Sequence, residues 1–180
     1  MSYCSYINDG KPNYYHKNYH DNIYGFPAKN DKELFGRLVL EINQAGLSWD
    51  IILKKEKTIK NAYKDYSFIE IAKFNEYDIQ RLLNDNGTIR MRRKIEAIIY
   101  NAKKVLSITE KHNSFKCYLD KHHPLNFTEW LSLFKKEFKF VGKEICREFL
   151  ISTGYLKGAH KTSCSTYKKI IKEKPMWLCS

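Results

Sequence analysis

Residues 75–106 read NEYDIQRLLNDNGTIRMRRKIEAIIYNAKKVL, and the fold turns on how they are read. Two stretches of helical character, 75–85 and 92–106, flank the short turn Asn86-Gly87-Thr88-Ile89. A glycine-containing turn between helices can aim backbone N–H groups at a phosphate, and the following helix adds the positive end of its dipole. Arg90, Arg92, Arg93 and Lys94 come next, four cations in five residues. The same pattern also suits an ordinary helical hairpin with a solvated basic face.

Outward from this hairpin the pattern stays helical. Asn30 or Asp31 can cap a helix that runs to Ala45 and stops at Gly46, with Leu34, Leu38, Val39, Ile42 and Ala45 as its inner stripe. Further helices are expected over 67–73, 76–84, 92–109, 128–138 and 142–153. No run of alternating residues argues for a sheet, so the chain reads as all-α. Residues 1–29 have a different texture, turn-rich and holding six of the 13 tyrosines. Beyond Thr166, Lys168, Lys169, Lys172 and Lys174 suit a flexible solvated terminus better than a segment that adds nonspecific attraction to a polyanion.

Glu41 breaks the pattern of its helix. It follows Leu38 by three positions and precedes Ala45 by four, which puts it on the inward stripe. A buried carboxylate is costly unless it is hydrogen-bonded or lines a polar cavity. It fits either a helix-end acid bonded to the amides of a neighbouring loop or the acid of a site. The segment Gln44-Ala45-Gly46-Leu47-Ser48-Trp49 sets a sharp turn and a large aromatic one helical end away, which favours the site.

His160-x-x-x-Cys164 has a spacing that lets both side chains reach one ion from a single turn. Zn²⁺ prefers four ligands, so two more must come from elsewhere, and Cys4 and His20 are candidates. A surface histidine and a small buried thiol fit the same two positions. The five cysteines are odd in number and form no C-x-x-C, which suggests free thiols or metal ligands rather than disulfides.

Composition bounds the remaining choices. The 180 residues are 43% apolar and 29% charged, which is globular composition and excludes global disorder. No apolar run approaches the roughly 20 residues that cross a bilayer. MSYCSYINDG lacks the basic start and apolar core of a secretory signal, so a soluble, intracellular protein is expected. Lys and Arg total 32 against 20 acidic residues, a net charge of +12 that favours a polyanionic partner, nucleic acid before an anionic membrane.

In chain order, Cys4, Tyr19-His20-Asp21-Asn22, Gln44-Ala45-Gly46-Leu47-Ser48-Trp49, Gly87-Thr88-Ile89-Arg90, Phe138-Lys139-Phe140-Val141-Gly142 and His160-x-x-x-Cys164 resemble the DNA-3-methyladenine glycosylase I family. The ordered set spans residues 1–165. The resemblance implies an all-α helix-hairpin-helix DNA glycosylase fold whose N- and C-terminal segments join at one structural Zn²⁺ held by Cys4, His20, His160 and Cys164. It implies a single domain over 1–180, with 1–29 and 154–165 as the zinc-linked ends and 166–180 as a basic tail.

The implied activity is base-excision repair. The enzyme flips the damaged nucleotide out of duplex DNA and hydrolytically releases 3-methyladenine, with no strand cleavage. Glu41 would recognise the base and support the transition state electrostatically, without acting as a water-activating base. Tyr19, Trp49, His16 and Tyr6 would complete the substrate pocket. Gly46 and Leu47 would fill the gap left by the flipped base, and Gly87, Arg90, Arg92 and Lys94 would contact DNA. The implied partners are duplex DNA containing alkylated adenine and the free base as product, with no membrane. A cytoplasmic monomer associated with the nucleoid follows.

The chain departs from the family pattern at four positions. Tyr6 and Tyr24 stand where tryptophan is usual, Ile23 replaces a carboxylate, and His16 replaces a tyrosine. Two other readings fit the residues: a weakened or inactive DNA-binding relative, and an RNA-binding module that uses exposed tyrosines as stacking platforms.

Overall fold

The computed structural model describes residues 2–179. In chain order its helices are α1 (Tyr3–Asp9), α2 (Tyr14–Asn22), α3 (Asp31–Gln44), α4 (Trp49–Ala62), α5 (Phe68–Ile71), α6 (Glu76–Asn84), α7 (Arg92–His112), α8 (Phe115–His122), α9 (Phe127–Glu137), α10 (Lys143–Ser152) and α11 (Ser165–Lys172). No strand occurs among the described residues, so the all-α expectation holds.

The centre of the fold is α3. The Asn30 side chain caps it by accepting from the Glu33 amide at 2.9 Å. All ten residues from 34 to 43 are buried, and a helix buried on every side is a core helix rather than a surface one. Helices α4, α7, α8 and α10 pack around it. Two charged residues lie in that buried run and need compensation. Arg37 finds it: Nη1 donates to the backbone carbonyls of Ile23, Phe26 and Ser152 at 2.8, 3.1 and 2.6 Å, and Nη2 pairs with Glu33 at 2.6 Å. Arg37 therefore pins the loop after α2 and the end of α10 to the core helix. The other charged residue is Glu41.

The hairpin of α6 and α7 lies where the sequence puts it. Asn75 and Asp78 form a capping box at the start of α6. Ile79 and Leu82 share the common core with Ile95, Ile98, Ile99, Ala102 and Val105. The turn is closed by its own side chains. Asp85 Oδ1 accepts from the Gly87 amide at 2.7 Å, and the Thr88 hydroxyl donates to Leu82 O at 2.8 Å. Thr58 of α4 donates to Gly87 O at 2.7 Å. A Cβ on Gly87 would sit 2.9 Å from Thr58 Cβ, so glycine here serves the close approach of α4.

The structure adds helices that the periodicity did not signal. The N-terminal region read as turn-rich contains α1 and α2, capped by Ser2 and Asn13. These helices are short, and their inward residues are Cys4, His16, Tyr19 and His20, which do not register as an apolar stripe. In α4, the polar run Lys54–Lys55–Glu56–Lys57–Thr58 separates buried Leu53 from buried Ile59. No helix was expected over α8, yet it buries Phe115, Tyr118 and Leu119. The solvated terminus expected beyond Thr166 begins with a packed helix: Thr166 and Ile170 of α11 are 1% and 2% exposed, against α2.

Candidate active site and metal-ligand cluster

Glu41 is 5% exposed and lines two adjoining cavities. One, of about 490 Å³, is walled by Tyr3, Tyr6, His16, Tyr19, Tyr24 and Trp49 with Gln44 and Glu148. The other, of about 390 Å³, opens past Arg37 toward Lys32 and Lys60. Both lie in the size range of small-molecule sites. Burial pushes the Glu41 carboxyl up to about 8; the Glu148 carboxylate pushes the same way, and Arg37 opposes. No hydrogen bond among the described residues contributes to that balance. The helix-end reading of Glu41, bonded to loop amides, is therefore not what the fold adopts.

The aromatic wall follows from three elements meeting above the end of α3. Tyr19 from α2 is 5% exposed, and its ring centroid lies 5.1 Å from that of Trp49 at the start of α4, edge to face. Tyr24 lies 5.6 Å from Tyr19 and 5.6 Å from Tyr3. His16 lies 5.3 Å from Tyr6, and its Nδ1 shares a 2.9 Å hydrogen bond with the Tyr3 hydroxyl. Burial holds the His16 imidazole below its ordinary pKa, which favours the neutral ring despite Asp50 at 3.6 Å. The turn that delivers Trp49 depends on Gly46, whose φ of +78° lies in the left-handed region. Leu47 follows, held by Leu47 N–H to Gln44 O at 2.7 Å and Gln44 Nε2–H to Leu47 O at 3.0 Å.

All five expected pocket residues, Glu41, Tyr19, Trp49, His16 and Tyr6, line the larger cavity. Sequence reasoning missed Glu148, Tyr3 and Gln44, and named Tyr24 only as a departure. Glu148 gave no signal like that of Glu41, because it stands beside the buried stripe of Cys146, Phe149 and Leu150 on α10 and is itself half-buried.

The two chain ends do meet. Cys4, His20, His160 and Cys164 bring one ligand atom each within 4.8 Å of one another. Cys4 Sγ lies 3.5 Å from His160 Nδ1, and Cys164 Sγ lies 3.7 Å from both His160 Nδ1 and His20 Nε2. A tetrahedral zinc site with ordinary bond lengths separates its sulfur and nitrogen ligands by about 3.6 Å, so the group has the dimensions of a metal site. The outer ring nitrogens are engaged as metal-binding histidines require. His20 Nδ1 meets Asp21 Oδ1 at 2.7 Å, and His160 Nε2 meets Tyr24 O at 2.8 Å.

The residues expected at DNA divide into two sets. Arg90 and Gly46 are exposed, and Leu47 is half-buried at the rim of the pocket turn. Arg92 is bound to Glu76 through both guanidinium nitrogens at 2.6 and 3.0 Å. The Gly87 N–H is already taken by Asp85. Lys94 corrects the expectation outright. It is 1% exposed, and Nζ donates to Asn43 O at 2.7 Å and Ala45 O at 2.6 Å. Its charge caps the C-terminal end of α3, where the helix dipole favours a cation, and cannot reach a phosphate. Lys94→Ala should cost about 2–4 kcal/mol in urea unfolding, since it leaves carbonyls unpaired and opens a gap. The salt dependence of DNA binding should not change; a reduced slope would restore Lys94 to the DNA surface.

The all-helical fold superposes on solved 3-methyladenine DNA glycosylases. One from Staphylococcus aureus, solved to explain 3-methyladenine recognition, superposes with a TM-score of 0.81 at 28% identity, covering 92% of this chain and 97% of that one. DNA-3-methyladenine glycosylase 1 of Escherichia coli (strain K12) is 34% identical over 168 residues, 83% of this chain and 89% of the relative. DNA-3-methyladenine glycosylase of Haemophilus influenzae (strain Rd) is 32% identical over 165 residues, 81% and 89%. The family model for methyladenine glycosylase matches residues 9–131. The chain belongs to the methyladenine glycosylase family.

Proposed function

We propose that this chain is a base-excision repair glycosylase that flips 3-methyladenine out of alkylated duplex DNA and releases it hydrolytically, leaving the strand intact. The observation that carries this reading is Glu41, buried in an aromatic-walled cavity with no hydrogen-bond partner of its own among the described residues. A carboxylate placed in this way is stabilised by a cation that enters the cavity. A 3-methylated adenine in DNA is such a cation.

The chemistry needs little from the protein. When the glycosidic bond breaks, its electron pair leaves with the base and cancels the positive charge of the ring. Water then adds to the sugar carbon and gives up a proton. Glu41 offsets the cation and accepts from the exocyclic amine. Trp49 stacks on the ring, a contact worth about 0.5–2 kcal/mol for a cationic ligand. Tyr19 adds a hydroxyl, while Tyr6 and His16 close the wall and keep water out. Gly46 and Leu47 occupy the gap left in the duplex, and Arg90 holds the backbone.

Cys4, His20, His160 and Cys164 would hold one Zn²⁺. With four protein ligands the set is closed, leaving no position for a water, so the ion would be structural. It would join α1 and α2 to the segment before α11 and brace Tyr19, the residue before His20. No described helix is long and apolar enough to cross a membrane. The protein would act inside the cell as a monomer, on its DNA.

The test is incubation of the purified protein with methylated duplex DNA, followed by chromatography of the released bases and denaturing electrophoresis of the strands. Free 3-methyladenine and uncut strands are expected. DNA binding with no base released, even at high protein concentration, would instead make the chain a non-catalytic relative.

A further inference from the structure

The cavity that holds Glu41 contains a second carboxylate with no part in the chemistry above. Glu148 enters from α10 and lines the same space as Glu41, Tyr19 and Trp49. It is half-buried, and its Oε2 accepts a hydrogen bond from the Tyr24 hydroxyl at 3.1 Å, which holds the side chain in the cavity wall. We propose that Glu148 is a specificity-determining residue that works with Glu41 to select a positively charged purine over a neutral one. This rests on Glu41 being the acid that reads the base.

The argument is electrostatic. Two carboxylates in one poorly solvated cavity disfavour each other's ionisation. Both are held above the ordinary carboxylate range, Glu41 by burial and then by Glu148, Glu148 by burial against the opposing bond from Tyr24. Among the described residues, no lysine or arginine lines the cavity that the two acids share. Arg37, which faces Glu41 along α3, is spent on three backbone carbonyls and Glu33. On α10, Glu144 adds a further negative charge toward Glu148, and Arg147, which lies over the Phe127 ring, offsets it only in part. From α1 and α2, Tyr3 and Tyr19 are kept protonated by burial, and His16 is kept neutral.

A cationic purine between the two acids lets both ionise. A neutral adenine brings no charge to relieve them, so the second carboxylate favours the damaged base and does nothing for the undamaged one. Tyr24 is the positioning residue, because its hydroxyl aims Glu148 at the cavity.

A matched pair of ligands tests this without turnover: 3,9-dimethyladeninium, a permanent cation, and 9-methyladenine, its neutral counterpart. Calorimetry on the wild-type protein should show preference for the cation and the release of about one proton per cation bound near pH 7. Glu148→Gln keeps a carbonyl oxygen for Tyr24 and should retain its melting temperature. It should weaken binding of the cation about tenfold, one charge-assisted contact, leave 9-methyladenine unchanged, and reduce the proton release. On methylated DNA the same variant should raise KM, since Glu148 meets the charge in the bound substrate, before bond breaking discharges the ring. Glu148→Asp should recover part of the preference.

If Glu148→Gln keeps the full preference while Glu41→Gln loses it, Glu148 has no role in selection and the Glu41 reading stands. If the wild-type protein shows no preference for the cation, the Glu41 reading fails first, and this inference goes with it.

Discussion

Glu41→Gln should lower 3-methyladenine release by about 10²–10³-fold while leaving the helical content intact. Glutamine keeps the shape of the side chain and one acceptor oxygen but cannot offset a cation, so the loss isolates charge from packing. The same substitution should stabilise the protein. Glu41 titrates at about 8 in the folded chain against 4.5 ordinarily, so the folded state holds a proton that the unfolded state gives up between those values. The contribution of this group to stability is therefore full below about pH 4.5 and is lost as the pH rises through about 8. The gain from Glu41→Gln should grow from near zero at pH 4.5 to a few kcal/mol above pH 8, read by thermal melts across that range. A variant that is both fully active and no more stable at pH 9 would remove Glu41 from the site. Function placed at a cost to stability is the pattern expected of a buried acid kept for a ligand.

Loss of the Cys4–His20–His160–Cys164 cluster should have the other large effect. Cys164→Ser, or prolonged chelation at raised temperature, should lower the melting temperature by 10 °C or more. That follows from a few kcal/mol at roughly 2–4 °C per kcal/mol for a chain of this size. The damage should spread unevenly. The cluster joins α1 and α2 to the segment before α11, while α3, α7 and α10 pack without it. The hairpin and central core should keep their amide protection, and the N-terminal helices should lose theirs first. Base release should fall in parallel, because Tyr19 and His20 are neighbours on α2. Elemental analysis should find about one zinc per chain. A metal-free protein with an unchanged melt would show that the four side chains hold together by hydrogen bonds alone.

The residues that could be read from the sequence are those whose placement is local. The helical period puts Glu41 on the inner stripe of α3, and Asn30 and Gly46 bracket that helix by cap and turn chemistry. The α6–α7 hairpin could be read for the same reason, its cap, turn and second helix lying within residues 75–112. The metal ligands were only partly legible. His160 and Cys164 share one turn, but their meeting with Cys4, more than 150 positions away, was not a local fact, and it took the family resemblance to propose it.

What the chain determined alone was the helical core and the inward acid, because helix period and capping act over a few residues and need no partner element. Tertiary packing decided which cations stay on the surface and what surrounds the acid. Lys94 sits among three other cations in the chain, yet the packing of α7 on α3 turns it onto two carbonyls at the end of α3. Glu148 lies 107 positions from Glu41, and only the crossing of α10 with α3 puts both in one cavity. Side chains far apart in the chain share a dielectric only after folding. The charge that this pocket presents is thus a property of the assembled helices.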